Sequence, residues 1–231
     1  MGMKLLSLAG DLLHLFYPLV CPGCGSMLTG GESFLCMSCL SRLPRTQYHS
    51  WPDNPVASLF WGRVQFDWAT SWCLFQKESL FRALIHKLKY SDHPALGVAL
   101  GQAFALDLAG SPFQDCHCLV PVPLHKRKLQ TRGYNQSERI ATGMGLVLQM
   151  PVADGLLVRR AGTQTQTHRH RFERWENVEK SFALVNASGF EHKHLLLVDD
   201  VVTTGATLEA CARLLLTIPG VRVSIAVLGV A

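Results

Sequence analysis

Residues 195–207 read Leu-Leu-Leu-Val-Asp-Asp-Val-Val-Thr-Thr-Gly-Ala-Thr. Four consecutive apolar residues without polar alternation describe a strand covered on both faces, the pattern of a parallel sheet. Such a strand delivers Asp199 and Asp200 to the carboxyl edge of its sheet, where open α/β folds bind ligands. Two adjacent carboxylates can accept hydrogen bonds from vicinal hydroxyls, as on a ribose. Thr203, Thr204, Gly205 and Thr207 then make a tight turn into a helix. Free N–H groups and hydroxyls converge at such a helix start, which is a phosphate site. A Walker A loop needs a lysine after the glycine, and Ala206 stands there instead. A phosphoacceptor receiver domain also puts paired acids at a strand end, but it leaves the Thr-Thr-Gly-x-Thr turn without a role. The plainest alternative is a buried strand whose two acids cap the next helix.

Outward from this segment, strand and helix patterns alternate. Helical periodicity covers residues 80–89, 95–108, 138–149 and 207–216, and apolar runs at 118–123, 156–158, 182–185 and 221–230 read as strands. Trp61, Val64, Phe66, Trp68, Trp72 and Leu74 alternate with small or polar residues, which predicts a two-stranded hairpin over residues 60–75. The expected architecture is α/β: a mostly parallel, doubly wound sheet with helices on both faces. A small module precedes it. Pro44, Pro52 and Pro55 interrupt residues 40–58, so this stretch reads as an irregular linker, with residues 1–55 in the front module and 56–231 in the main domain.

Hydrophobic residues make up 48% of the 231 and charged residues 17%, which excludes a disordered chain and supports a sizeable core. The net charge of +5 is unevenly placed. Lys126, Arg127, Lys128 and Arg132 fall in one stretch, and Arg159, Arg160, Arg169, Arg171 and Arg174 in another. Both stretches read as loops, so an anionic partner is expected, either a phosphate-rich small molecule or nucleic acid; two solvated basic faces are the alternative. Near the amino terminus Lys4 is followed by a leucine-rich run. Asp11 and His14 interrupt it, no A-x-A site follows, and Val20 before Cys21 is too large for a lipoprotein signal. The leucine spacing fits an amphipathic helix over residues 4–17, and no later run is long enough to span a bilayer, so a cytoplasmic protein is expected.

Cys21, Cys24, Cys36 and Cys39 form two C-x2-C pairs separated by eleven residues. Two thiolates on each of two turns complete a tetrahedral, closed site, so a structural zinc ion is expected; disulfides or a redox pair are the alternatives. Cys73, Cys116, Cys118 and Cys211 are scattered and read as core residues.

Residues 195–207 resemble the phosphoribosyl pyrophosphate (PRPP) loop of type I phosphoribosyltransferases at every position. Residues 120–136, Val-Pro-Val-Pro-Leu-His-Lys-Arg-Lys-Leu-Gln-Thr-Arg-Gly-Tyr-Asn-Gln, resemble the ComF family of bacterial competence-associated proteins. So do Thr163, Gln166, Arg174 and Asn177 in their order, and the four-cysteine module behind a leucine-rich helix. The resemblance implies a type I phosphoribosyltransferase-like domain that binds PRPP or ribose 5-phosphate through Asp199, Asp200, Val201, Thr203, Thr204, Gly205, Ala206 and Thr207. Arg127, Lys128 and Arg132 then match the pyrophosphate-holding stretch. Lys89 resembles a further phosphate contact, or is a solvated helix-end lysine. Residues 160–174 match a mobile lid, with Arg174 beside Asp199 and Asp200 as a catalytic candidate and the roles of His168 and His170 open.

The chemistry implied is displacement of pyrophosphate from the ribose, with Mg²⁺ accompanying PRPP, toward an acceptor the sequence does not specify. Family membership equally implies a role in DNA uptake, as a non-catalytic protein contacting single-stranded DNA or a DNA-translocating competence protein. Nucleotide salvage or sugar metabolism is a third reading, because fold alone does not fix function.

Overall fold

Four strands form one all-parallel sheet in the computed structural model, which describes residues 19–29, 31–32, 34–90, 93–160 and 181–231. The strands are β1 (Ala69–Leu74), β2 (Cys118–Pro121), β5 (His194–Val202) and β6 (Arg222–Val230), in the order β1-β6-β5-β2. A separate antiparallel pair joins β3 (Leu157–Arg159) to β4 (Phe182–Leu184). The helices are α1 (Met37–Ser41), α2 (Pro55–Ser58), α3 (Leu80–Tyr90), α4 (Pro94–Leu108), α5 (Lys126–Arg132), α6 (Gln136–Leu148) and α7 (Ala206–Leu215). Central strands covered on both faces read as near-continuous apolar runs, and residues 195–198 of β5 are all buried.

Alternate residues of β5 and β6 feed two cores. Leu196, Val198, Ala226 and Leu228 pack with α3, α4 and α6 on one face. Leu195, Leu197, Val223, Ile225 and Val227 pack with α2, α7 and the β3–β4 pair on the other. On the first face α4 and α6 are drawn into backbone contact. A Cβ at Gly101 would lie 2.1 Å from the Ile140 carbonyl oxygen, and one at Gly143 would lie 2.0 Å from that of Val98. Only glycine permits this approach, and it seats the amino end of α6 beside the end of β5.

The hairpin expected over residues 60–75 does not form. Its second half is β1, which pairs in parallel with β6, and its first half is a turn. Tertiary contacts override the alternation: Phe60 is fully buried in the second core, whereas Trp61 is 55% exposed. The linker is also more ordered than its prolines suggest. Thr46 N–H donates to Trp72 O and Leu74 N–H to Pro44 O, so residues 44–46 cover the outer edge of β1. Buried Asn54 accepts from the N–H groups of Val56 and Ala57 and donates to the carbonyls of Tyr48, Trp51 and Ala69, which starts α2 and fixes it to β1. Cys73, Cys116, Cys118 and Cys211 are core residues. The expected leading helix over residues 4–17 and the basic stretch 161–180, including Thr163, Gln166, His168, His170, Arg174 and Asn177, lie outside the described residues. Among the described residues, no helix is long and apolar enough to cross a membrane.

Candidate functional site

At the carboxyl end of β5 the two acids are held differently. Asp199 Oδ1 accepts from Ser137 Oγ at 2.8 Å and from the Asp200 N–H at 2.9 Å. Its other oxygen makes no hydrogen bond among the described residues. Asp200 Oδ1 accepts from the Val201 N–H, and its Oδ2 lies 2.9 Å from Lys89 Nζ. Burial, and next the charge of Asp200, push Asp199 up to about 7, against the pull of the Ser137 hydroxyl. The carboxylate is therefore held in a state that gains from a hydrogen-bond donor such as a sugar hydroxyl.

The turn that follows is set by Gly205, at φ 76° and ψ −4°, a left-handed conformation that disfavours a side chain. A Cβ there would also lie 2.9 Å from Phe60, so glycine is required on both counts. The first N–H groups of α7 have no partner within the helix and open onto the turn. Thr203 and Thr204 are exposed beside them. Arg63 braces this turn from behind. It donates to Leu59 O at 2.7 Å and to Thr204 O at 2.9 Å, and its other terminal nitrogen lies 2.5 Å from Glu209 of α7. Glu209 is buried and also meets Arg213 at 3.1 Å.

Lys89 carries the site across to a groove of about 600 Å³ lined by Lys89, Tyr90, Arg127, Lys128, Arg132 and Tyr134. The cations expected on a loop stand instead on α5, a short exposed helix. His125 caps it by accepting from the Arg127 N–H, and Gly133 ends it in the left-handed conformation. The helix forms because most of its residues are good helix formers and Gly133 supplies a strong stop, which a count of charges does not register. Arg132 stacks over Tyr90, 5.1 Å from the ring centre. Of the residues expected to bind ligand, Asp199, Asp200, Val201, Thr203, Thr204, Gly205, Ala206 and Thr207 share one sheet edge, and the Lys89–Asp200 pair joins that edge to Arg127, Lys128 and Arg132. Sequence reasoning missed Ser137 and Arg63. Ser137 directly follows the Arg-Gly-Tyr-Asn-Gln run and had a signal, whereas Arg63 lies 141 residues from its carbonyl partner and had none.

The second cluster is the front module. The sulfurs of Cys21, Cys24, Cys36 and Cys39 all lie within 4.8 Å of one another, with Cys24 and Cys36 3.6 Å apart. Tetrahedral zinc with bonds of ~2.3 Å needs sulfurs roughly 3.8 Å apart, so the donor set fits that ion. The N–H groups of Gly23 and Cys36 point to Cys21 Sγ and that of Cys39 to Cys36 Sγ, each at 3.4 Å, an arrangement that favours thiolates. Hydrogen bonds from Ser26 lower Cys24 to about 6, while burial raises Cys39.

Comparison with known proteins agrees with this geometry. A family model described as a phosphoribosyl transferase domain matches residues 140–229, which contain β5, the turn, α7 and all but the last residue of β6. The chain is 34% identical over 98 residues to competence protein F of Haemophilus influenzae, a match covering 42% of this chain and 43% of that one. It is 28% identical over 204 residues to the DNA utilization protein YhgH of Salmonella typhi, covering 85% and 78%. It is 37% identical over 98 residues to competence protein ComFC of Bacillus subtilis, covering 42% and 38%. The phosphoribosyl transferase match and the competence and DNA utilization relatives agree with the resemblance to the ComF family. The matches thus span less than half of the Haemophilus and Bacillus relatives. The family model covers the acid pair and the turn but not Lys89, the α5 cations or the four cysteines; Lys89 reaches the acid pair through Asp200 and lines the groove with the α5 cations.

Proposed function

We propose that this protein binds PRPP at the carboxyl edge of its sheet and transfers the phosphoribosyl group to an acceptor with release of pyrophosphate. The observation that carries the reading is the Lys89–Asp200 pair, because it makes a hydroxyl-accepting acid pair, a phosphate-binding turn and a cationic groove into one continuous surface. Asp199 and Asp200 accept from the ribose hydroxyls, and the turn from Thr203 to Thr207 holds the 5-phosphate. Lys89, Arg127, Lys128 and Arg132 face the pyrophosphate. As the bond from C1 to pyrophosphate breaks, positive charge grows on the ribose beside the two acids and negative charge on the departing group beside the cations, so both ends of the transition state are stabilised.

Mg²⁺ arriving with PRPP would supply charge neutralisation at the leaving group, and Lys89, Arg127, Lys128 and Arg132 are the residues that would hold the pyrophosphate. Ser137 and Lys89 engage the acids. Arg174 is assigned to the same site by the family pattern. The names of the relatives, two competence proteins and a DNA utilization protein, support a place in competence or DNA use; a cytoplasmic location and single-stranded DNA or a DNA-translocating competence protein as partner are proposed with it. Exchange of labelled pyrophosphate into PRPP, run with Mg²⁺ and a panel of bases, ammonia and oligonucleotides, tests the transfer step. Exchange dependent on one acceptor class is expected. Absence of exchange with every acceptor would leave a binding protein in place of an enzyme.

A further inference from the structure

The carboxyl end of α3 is where the front module and the ligand site meet. Three consecutive residues there make three different links. Lys87 Nζ donates to the carbonyl of Pro22, inside the first cysteine pair, at 2.5 Å. The Leu88 carbonyl accepts from the Tyr134 hydroxyl, on the wall of the cationic groove, at 2.5 Å. Lys89 Nζ meets Asp200 of the acid pair at 2.9 Å. The other end of the helix is tied to the same module. Leu80 packs against Cys21, Cys36 and Cys39. It also lies 3.1 Å from where a Cβ on Gly23 would be, which is tight packing against the first cysteine pair. From Leu80 to Lys89 is about 14 Å along the helix axis at ~1.5 Å per residue. The face of α3 between these contacts is buried through Phe81, Leu84, Ile85 and Leu88, so the helix can shift only as a packed unit.

We propose that the four-cysteine module is a positioning element for the ligand site: through Lys87 and Leu80 it holds α3 so that Lys89 reaches both Asp200 and the groove, which makes affinity for the anionic ligand depend on the metal. The inference rests on the PRPP-binding reading above. Its physical basis is that, among the described residues, the hydrophobic side chains packed against the three buried cysteines are Leu28, Leu35 and Leu80, and the last of these belongs to α3. Without an ion the four sulfurs have no common centre, and the Pro22 carbonyl that anchors Lys87 loses its fixed position. Lys87 is thus a positioning residue that acts through Lys89. An arginine in its place preserves the donor, whereas methionine preserves the packing of the stem and removes the link.

The test measures PRPP affinity by calorimetry, with Mg²⁺, for wild type, Lys87→Met and Lys87→Arg, each loaded with zinc and stripped by chelation followed by exchange into chelator-free buffer, with melting curves on every sample. Stripping is expected to weaken PRPP roughly five- to tenfold in wild type, within the range of coupling through packed contacts. In Lys87→Met the affinity is already reduced by a similar factor when loaded, stripping changes it less than about twofold, and Lys87→Arg behaves as wild type. Additive losses in Lys87→Met would reveal a mere charge effect and overturn the proposal. So would unchanged affinity in stripped wild type, or wild-type affinity in loaded Lys87→Met. If stripping unfolds the whole chain, the loaded Lys87 variants decide alone. Failure of the loaded wild type to bind PRPP would instead overturn the reading of the site itself.

Discussion

Replacing Asp199 and Asp200 together by asparagine lowers affinity for ribose 5-phosphate by about 100-fold or more. Each acid is expected to accept a charge-assisted hydrogen bond from a ribose hydroxyl, and such bonds contribute ~1.5 to 3 kcal/mol each. Removing two negative charges also relieves repulsion of an anionic ligand, but that gain acts over a longer distance and is screened by salt and by the cations of α5, so the lost bonds dominate. Ribose 5-phosphate is the better probe because the double variant also frees Lys89, which would partly compensate with PRPP.

The pH profile of the same titration carries a sign. Asp199 is raised to about 7, by burial first and Asp200 second, so it becomes the better acceptor as pH rises from 6 to 8. Wild-type affinity should rise across that window more than the ligand's own phosphate explains, and the double variant supplies the ligand's contribution. A folded-state pKa above the unfolded value gives stability that is present at low pH and lost as pH rises through about 7. Asparagine at 199 is therefore expected to leave the melting temperature at pH 8 unchanged or higher, which separates lost binding from lost folding. Equal affinities in the two proteins would remove this strand end as the ribose site.

The second large effect is at the metal. Wild-type protein purified in reducing buffer is expected to carry about one zinc per chain, and Cys36→Ser to carry almost none. Cys36 is central to the cluster: its N–H points to Cys21, its sulfur lies 3.6 Å from that of Cys24, and it caps α1 by accepting from Cys39. Structural zinc contributes on the order of 10 kcal/mol to small modules of this kind, far more than three leucine contacts supply. The variant should show early proteolytic cleavage among residues 19–41 while the parallel sheet keeps its own melting transition. Elemental analysis that finds no metal in folded, reduced wild type would contradict the assignment.

How far these features could be read from the sequence depended on their range. The apolar run before Asp199 and the cysteine spacing are local signals whose physical cause lies within a dozen residues, and both led directly to structure. Residues 60–75 failed because alternation of apolar residues is also what a turn shows when one ring is claimed by a distant partner. Phe60 belongs under Gly205, and Arg63 belongs to Thr204 and Glu209, all more than 140 positions away. The α5 cations were correctly grouped but assigned to a loop, since charge density hides helix propensity. Lys89 reads equally as a phosphate contact or as a solvated helix-end lysine, and what the sequence does not show is its ion pair with Asp200, 111 positions away.

The acid pair, the turn and the cationic groove are proposed to form one PRPP site. Calorimetric titration of wild type with PRPP and with ribose 5-phosphate, each with and without Mg²⁺, tests it most directly. The account predicts that both ligands bind one per chain and compete, and that Mg²⁺ strengthens PRPP but leaves ribose 5-phosphate nearly unchanged, because only PRPP brings a pyrophosphate to the groove. Equal response of the two ligands to Mg²⁺, or simultaneous binding of both, would contradict it.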